Sequence, residues 1–196
     1  MVFIAALVCD HLNSKHPNLT LNMLDQLLAH TVYPHYRDWC RRRPPHVTTC
    51  SHRFNAARFN KEKWKQLPEL NSVYKAAVVK DMMSWCADYL KEEMVGPQGT
   101  TRAYAMFGIA AFQKQLDSNG PFFDQATAGK VINHARSGLL FYQELAGLDR
   151  GRVDGKRFYK ITPKFHSLIE MLLYIGETKR NPRQLESILP NSFWFS

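Results

Sequence analysis

The chain has 196 residues, an apolar content of 45% and a formal net charge of +9. This length suits one domain, and the apolar and aromatic content excludes wholesale disorder. No apolar run approaches the ~18 to 20 residues that cross a bilayer, so no membrane span is expected. The positive charge predicts a polyanionic partner: nucleic acid, an anionic membrane surface or an acidic protein. Four irregularly spaced cysteines favour reduced thiols in an intracellular protein.

The chain starts with nine apolar residues, MVFIAALVC, which are followed by Asp10 and His11. This run lacks a basic beginning and is short for a signal peptide, so it is typical of a strand or helix that belongs to a core. We predict an apolar lead-in over residues 1–19, a single helical domain over 20–180 and a weakly structured tail over 181–196.

The first helix is predicted to begin after Thr20, a favourable N-cap, and to run to Tyr33 with leucines at helical spacing. Pro34 is expected to kink or restart it, and a second helix is predicted over 35–43. Residues 46–71 resemble an ordered loop.

Stronger helical periodicity begins at Ser72 and ends at the Gly-Pro-Gln-Gly sequence that starts at Gly96. We predict that Thr100 or Thr101 caps the next helix. A longer helix follows over about 124–148, and Thr162 before Pro163 predicts the start of a final one. The fold class is therefore mainly α, an irregular bundle of about five to seven helices with long basic loops.

Residues 35–65 contain nine Lys/Arg against two acids, Asp38 and Glu62, together with aromatic residues. Cations neutralise phosphates and flat rings stack on bases, so this combination indicates nucleic-acid binding. The candidate contacts in this segment are Arg37, Arg41, Arg42, Arg43, Arg53 and Arg58, with Lys61, Lys63 and Lys65 weaker and Trp39, Phe54 and Trp64 as stacking candidates.

A second basic loop follows Asp149 and contributes Arg152, Lys156, Arg157 and Lys160. Between the two loops, residues 66–149 hold seven Lys/Arg and nine acids, so a slightly acidic helical body separates them. If the fold brings the loops together, they form one cationic surface. The alternatives are a solvated basic loop, a patch that pairs with acids of a partner domain, or an anionic membrane surface.

The first basic segment also contains four zinc-competent side chains in thirteen residues: Cys40, His46, Cys50 and His52. Their spacing matches no standard zinc finger, so core or spare thiols and surface histidines are the favoured interpretation and no cofactor is expected. No nucleophile elbow, P-loop or dinucleotide fingerprint is present. A weaker alternative is a two-metal nuclease that uses Asp81, Asp88, Asp124 or Glu170.

The segment 158–183 reads FYKITPKFHSLIEMLLYIGETKRNPR. With the upstream sequences LPELNSVYKAA and RAYAMFGIAAF, it resembles the C-terminal helical region of transposase-like, mobile-element-derived proteins of large protist genomes, over about residues 20–183. The resemblance implies a helical part of a larger ribonuclease-H-like transposase relative. The sequence QLESILPNSFWFS after Arg183 departs from the acidic stretch expected there, so no catalytic ligands are carried over and a fragment or degenerate copy is implied.

The leading prediction is thus a non-catalytic helical domain that binds nucleic acid, with DNA favoured, non-specifically through its basic loops. The alternative is a protein-interaction or self-association domain that docks through the apolar termini, MVFIAALVC and FWF.

Overall fold

The computed structural model describes residues 2–43 and 50–185, and within them the chain is helical without any β-strand. A π turn, Leu28–Val32, joins α2 to α3 without a break, so the described residues form six separate helical rods. The bounds are α1 Val2–Lys15, α2 Leu21–Leu27, α3 Tyr33–Arg41, α4 Ala76–Glu92, α5 Gly96–Ser118, α6 Gln125–Arg150 and α7 Pro163–Thr178, followed by a 3₁₀ turn, Pro182–Leu185. The prediction of a mainly α bundle with five to seven helices is confirmed. None of these helices has the length and apolarity needed to cross a membrane.

Helix α1 lies at the centre of the bundle, and eleven of its fourteen residues are buried. A helix that is apolar on all sides requires surrounding elements, and α1 contacts α2, α4 and α5. Its Phe3 also packs on Tyr142 of α6 and Phe165 of α7, with ring centroids 4.5 and 5.2 Å apart. The structure therefore joins residues 2–15 to the helical body, whereas the sequence placed the start of that body at residue 20.

The start of α2 agrees with the sequence, because the Thr20 hydroxyl oxygen accepts a hydrogen bond from the Met23 N–H at 3.2 Å. Pro34 does not interrupt the helical path between α2 and α3. It is the second residue of α3, directly after the π turn, at a position where its missing N–H leaves the His30 carbonyl without the usual helical donor. The chain thus stays helical to Arg41.

Helix α5 begins at Gly96, whose φ of +68° suits glycine, and not at the predicted threonine cap. The hydroxyls of Thr100 and Thr101 donate to the carbonyls of Gly96 and Pro97, at 3.0 and 3.1 Å. Both threonines therefore lie inside the first turns, where their hydroxyls bond backward along the helix. The predicted caps were wrong because Pro97 allows the helix to start earlier.

The later helices follow their predicted boundaries closely. Asp124 is the N-cap of α6 and its carboxylate accepts from the Thr127 N–H at 2.6 Å. Helix α4 begins at Ala76, four residues after the predicted start. Thr162 precedes α7 as predicted, although its side chain makes no capping hydrogen bond.

Helices α5 and α6 cross at two glycines, Gly108 and Gly138. A Cβ atom at Gly108 would lie 2.5 Å from the Gly138 nitrogen, and one at Gly138 would lie 2.9 Å from the Ile109 nitrogen. Only glycine permits this approach of the two backbones. This closely packed pair contacts three further helices: α1 and α4 pack against α5, and α7 packs against α6.

The predicted tail boundary at residue 181 falls inside the packed body. Asn181 is wholly buried, and its side-chain amide donates to the carbonyls of Leu116 and Asn119 at 2.8 and 3.1 Å. Residues 186–196, including the FWF sequence, lie outside the described residues.

Candidate nucleic-acid interface

Three of the predicted cations converge on one cleft of about 250 Å³ beside α3. Arg37, Arg41 and Arg53 line it together with His30 and Asp38, and we call this group the arginine cleft. Three guanidinium groups face a single carboxylate, so the cleft keeps a net positive charge. Guanidinium groups present flat forks of N–H donors that match phosphate oxygens.

The three arginines differ in how firmly they are held. Arg41 forms an ion pair with Asp38 at 2.8 Å, but its side chain stays 68% exposed. Arg37 is half-buried and its guanidinium lies 5.8 Å from the Tyr33 ring centroid, with one N–H directed to the Tyr33 hydroxyl at 3.4 Å. Arg53 is exposed. These groups are therefore accessible to an anion without disruption of the core.

Two separate segments position the cleft. Arg37 and Arg41 are four residues apart on α3 and share one face of that helix. Arg53 is fixed by its neighbour Phe54, which is wholly buried and packs on Tyr33 and Tyr36 with centroid separations of 5.2 and 5.3 Å. The predicted stacking residue Phe54 thus anchors the segment and cannot reach a base.

Trp39 also serves the core instead of a free stacking surface. It is 6% exposed, its indole N–H donates to Asp88 at 2.8 Å, and the Arg43 guanidinium lies 4.7 Å from its ring centroid. Arg43 itself pairs with Asp88 at 2.6 Å. Arg42 is exposed, and it lies beside the arginine cleft without lining it.

The second basic loop is directed mainly inward, which corrects the prediction that Arg152, Lys156 and Arg157 contact nucleic acid. Arg152 pairs with the buried Asp10 at 3.4 Å and with Asp154. Lys156 donates to the Asn13 side-chain oxygen, and Arg157 to the Asp149 carbonyl, both at 2.9 Å. All three cations are only partly exposed, and Lys160 is the exposed member of the predicted set.

Lys61 is wholly buried, so its predicted phosphate contact is also corrected. Its ammonium donates to the carbonyls of Trp64, at 2.8 Å, Gln66 and Arg157. Burial lowers the pKa of Lys61 to about 8. The two basic loops therefore meet, but they meet around the buried ammonium of Lys61 and do not form one exposed cationic surface there.

The remaining candidates lie around this junction. Trp64 is half-buried and the Lys156 ammonium lies 4.6 Å from its ring centroid, so that side chain covers part of the ring. Arg58 donates to the Arg53 carbonyl at 2.6 Å and supports the turn. Lys63 and Lys65 are exposed but do not line the arginine cleft.

The candidate zinc ligands do not form a site in the described residues, where no group of three or more metal-competent side chains occurs. Cys40 and Cys50 are buried and form no disulfide within the described residues, and burial raises the pKa of Cys50. His52 is exposed, and His46 lies outside the described residues. The carboxylates proposed for a nuclease are likewise not assembled there: Asp88 pairs with Arg43, and Asp124 caps α6.

Sequence reasoning missed a buried polar network around Asp10. Its carboxylate accepts from Arg102 at 2.8 Å and from the Tyr159 hydroxyl at 2.7 Å, and all three side chains are at least nine-tenths buried. The network joins α1, α5 and the second basic loop. The sequence offered one indication, since Asp10 directly follows the apolar run MVFIAALVC and is therefore expected to be buried. A buried carboxylate requires a cationic partner.

Two other groups in this region respond to burial. Desolvation is the main cause that lowers the pKa of His11 to about 4, and repulsion from the neighbouring Arg102 contributes to the same shift. Desolvation also raises the pKa of Asp149, although the N–H groups of Phe158 and Tyr159 partly oppose the shift. Both groups lie within the fold, which points to structural roles.

No protein-family model, curated protein or solved structure matches this chain. The transposase-like ancestry therefore stays a prediction from the segment 158–183 and its upstream companions. We therefore infer a function from the geometry of the arginine cleft.

Proposed function

We propose that this helical protein binds nucleic acid non-specifically, by contacting backbone phosphates in the arginine cleft. The observation that carries the proposal is the convergence of Arg37, Arg41 and Arg53, from two separate segments, against one carboxylate. The resemblance of residues 158–183 to transposase-like proteins favours DNA as the polyanion. No catalytic step is proposed.

The chemistry of the cleft suits phosphates and not bases. An arginine fork donates two N–H groups to one phosphate, and Asp38 is the internal anion that a phosphate displaces from Arg41. Because Trp39 and Phe54 are covered by their own core, base stacking contributes little. We expect similar affinity for different sequences and a salt slope of about −2 to −3 for two or three displaced counterions.

A salt titration of binding to fluorescent single-stranded and duplex DNA and RNA tests the proposal. The triple variant Arg37→Glu, Arg41→Glu and Arg53→Glu removes the cleft cations. The matched control, Lys114→Glu, Lys130→Glu and Arg136→Glu, makes the same change in net charge at exposed positions on α5 and α6.

We expect wild type to bind with a strong salt dependence, and the cleft variant to lose at least about tenfold more affinity than the control, as for two or three lost charge-assisted contacts. Equal losses in the two variants would assign the binding to net charge alone. Salt-independent binding, or none to any nucleic acid at low salt, would overturn the proposal.

Self-association is a second candidate, and it rests on an exposed apolar surface of α5 and α6. Tyr104, Phe107 and Leu140 are 50%, 54% and 65% exposed. The N-terminal run cannot supply the docking surface predicted from sequence, because α1 is buried. Light scattering over a concentration series is expected to show a dimer that Leu140→Glu returns to monomer; a monomer at every concentration would exclude this function.

A further inference from the structure

A second, larger cavity lies on another part of the molecule. It has a volume of about 550 Å³ and opens between the start of α1, residues 69–76, and helices α4, α5 and α7. Most of its lining is apolar and includes Phe3, Leu70, Met83, Phe112, Phe165 and Met171. This volume is within the range of about 300–1,000 Å³ that small-molecule sites occupy.

Two of the residues that line this cavity have a buried polar atom without a hydrogen-bond partner within the described residues. These atoms are the hydroxyl oxygen of Tyr74 and the side-chain amide nitrogen of Gln113. Tyr74 is 6% exposed and Gln113 is 8% exposed. Buried polar groups normally have a partner, so two unpartnered ones at one apolar cavity indicate that a ligand supplies it.

We propose that this cavity binds a small amphipathic organic molecule with a hydrocarbon body and one terminal oxygen group, of the fatty-acid type. The amide nitrogen of Gln113 can only donate, and the hydroxyl of Tyr74 can donate or accept, so the ligand provides an oxygen acceptor. The exposed Lys75 at the cavity favours a carboxylate over an amine at the polar end, while Glu69 opposes it from the same lining.

The flexible methionines and the ring edges of the lining suit a hydrocarbon chain without a fixed shape. This site is separate from the arginine cleft, since the two cavities share no lining residue. The inference therefore does not depend on nucleic-acid binding.

Decanoic acid is the probe, and its binding to the full chain is measured by calorimetry alongside n-butylbenzene, which has no oxygen. Ser167→Phe fills the cavity from α7, and Ser137→Phe makes the same change at an exposed position on α6. We expect saturable one-to-one binding of decanoic acid to wild type and to the Ser137 variant. The Ser167 variant is expected to weaken it by at least about tenfold, as for loss of a buried apolar contact.

Tyr74→Phe and Gln113→Leu test the polar end. Each is expected to weaken decanoic acid by about fivefold, as for one hydrogen bond, and to leave butylbenzene binding unchanged. Neither is expected to lower the thermal midpoint of the ligand-free protein, because the deleted atom has no protein partner.

Four results would overturn the proposal. The first is no saturable binding of either probe, and the second is equal binding of decanoic acid by the Ser167→Phe and Ser137→Phe variants. The third is equal weakening of both probes by Tyr74→Phe and Gln113→Leu. The fourth is binding of decanoic acid only after deletion of residues 186–196, which would identify the cavity as the docking site of that segment.

Discussion

The arginine cleft and the second basic loop contain the same kinds of side chain, yet their cations have different partners. In the cleft, three arginines lie beside one carboxylate, which pairs with Arg41, and two of the three arginines are exposed. The inner cations, which we define as Lys61, Arg102, Arg152, Lys156 and Arg157, bind carbonyls, an amide oxygen and carboxylates of their own chain. Charge composition therefore predicts an external partner only where the fold leaves the cations exposed and with few internal acceptors.

The inner cations have a structural task that the cleft cations do not have. The long segments before α4 and before α7 have no ladder of backbone hydrogen bonds, so their buried carbonyls require donors. Lys61 supplies three such bonds, and Arg157 joins the end of α6 to the loop that follows. We thus expect inner substitutions to reduce stability and cleft substitutions to reduce binding.

The largest expected effect is on stability, from Asp10→Asn. This change leaves the guanidinium of Arg102 buried without its counter-charge, which costs about 4 kcal/mol of the free energy of unfolding. Asp38→Asn, which removes an exposed ion pair, is the matched control and is expected to cost less than about 1 kcal/mol. Urea denaturation measures the free energy of unfolding of both variants. Similar losses in the two would contradict the distinction between the inner cations and the cations of the arginine cleft.

Lys61→Met is expected to cost about 3 kcal/mol, because three partly buried carbonyls lose their donor. Lys63→Met, at an exposed position two residues away, is expected to change the free energy of unfolding by less than about 0.5 kcal/mol. A Lys61 variant as stable as the Lys63 variant would show that the ammonium does not hold the two loops together.

Acid is expected to lower the free energy of unfolding by protonating His11. Its pKa is about 4 in the folded protein against an ordinary 6.5, so the unfolded chain binds more protons between these values and stability falls as the pH is lowered. The free energy of unfolding is expected to fall by about 2.5 kcal/mol from pH 7.5 to 4.5 through this histidine. Asp149 opposes part of this, because burial raises its pKa and favours proton uptake by the folded state.

Urea denaturation across this pH range, on wild type and His11→Gln, isolates the histidine. The glutamine variant is expected to lose most of the slope between pH 6.5 and 4.5. An unchanged slope would show that carboxylates alone cause the acid sensitivity.

The smallest expected effect is a gain of affinity from Asp38→Asn. Asp38 is the one carboxylate among the described residues that line the arginine cleft. Its removal frees Arg41 for phosphate, and we expect DNA affinity at low salt to rise about two- to fivefold. Anisotropy titrations against wild type measure the change. A loss of affinity would mean that Asp38 holds Arg41 in its binding geometry instead of competing with phosphate.

Much of the fold could be predicted because it depends on local chemistry. The cap at Thr20 and the apolar periodicity of α4, α6 and α7 act within a few residues, and the structure places those elements close to the predicted positions. The start of α5 was missed because a threonine next to a glycine suits either a cap or a first turn.

The destination of each cation could not be predicted, because it depends on contacts between distant segments. Lys61 meets the carbonyl of Arg157, 96 residues later, and Arg102 meets Asp10, 92 residues earlier. The position of His30 in the lining of the arginine cleft could not be predicted either, because it also depends on long-range packing. A basic segment indicates the presence of charge, whereas long-range packing decides whether that charge faces solvent.

The most direct test of this account compares two double variants in two measurements. Arg41→Gln with Arg53→Gln alters the cleft, and Arg152→Gln with Arg157→Gln alters the inner cations by the same change in charge. We predict that the first pair lowers DNA affinity at low salt by about tenfold and leaves the free energy of unfolding unchanged. The second pair is predicted to lower the free energy of unfolding and to leave DNA affinity unchanged. Loss of DNA affinity in the second pair without loss of stability would contradict the account.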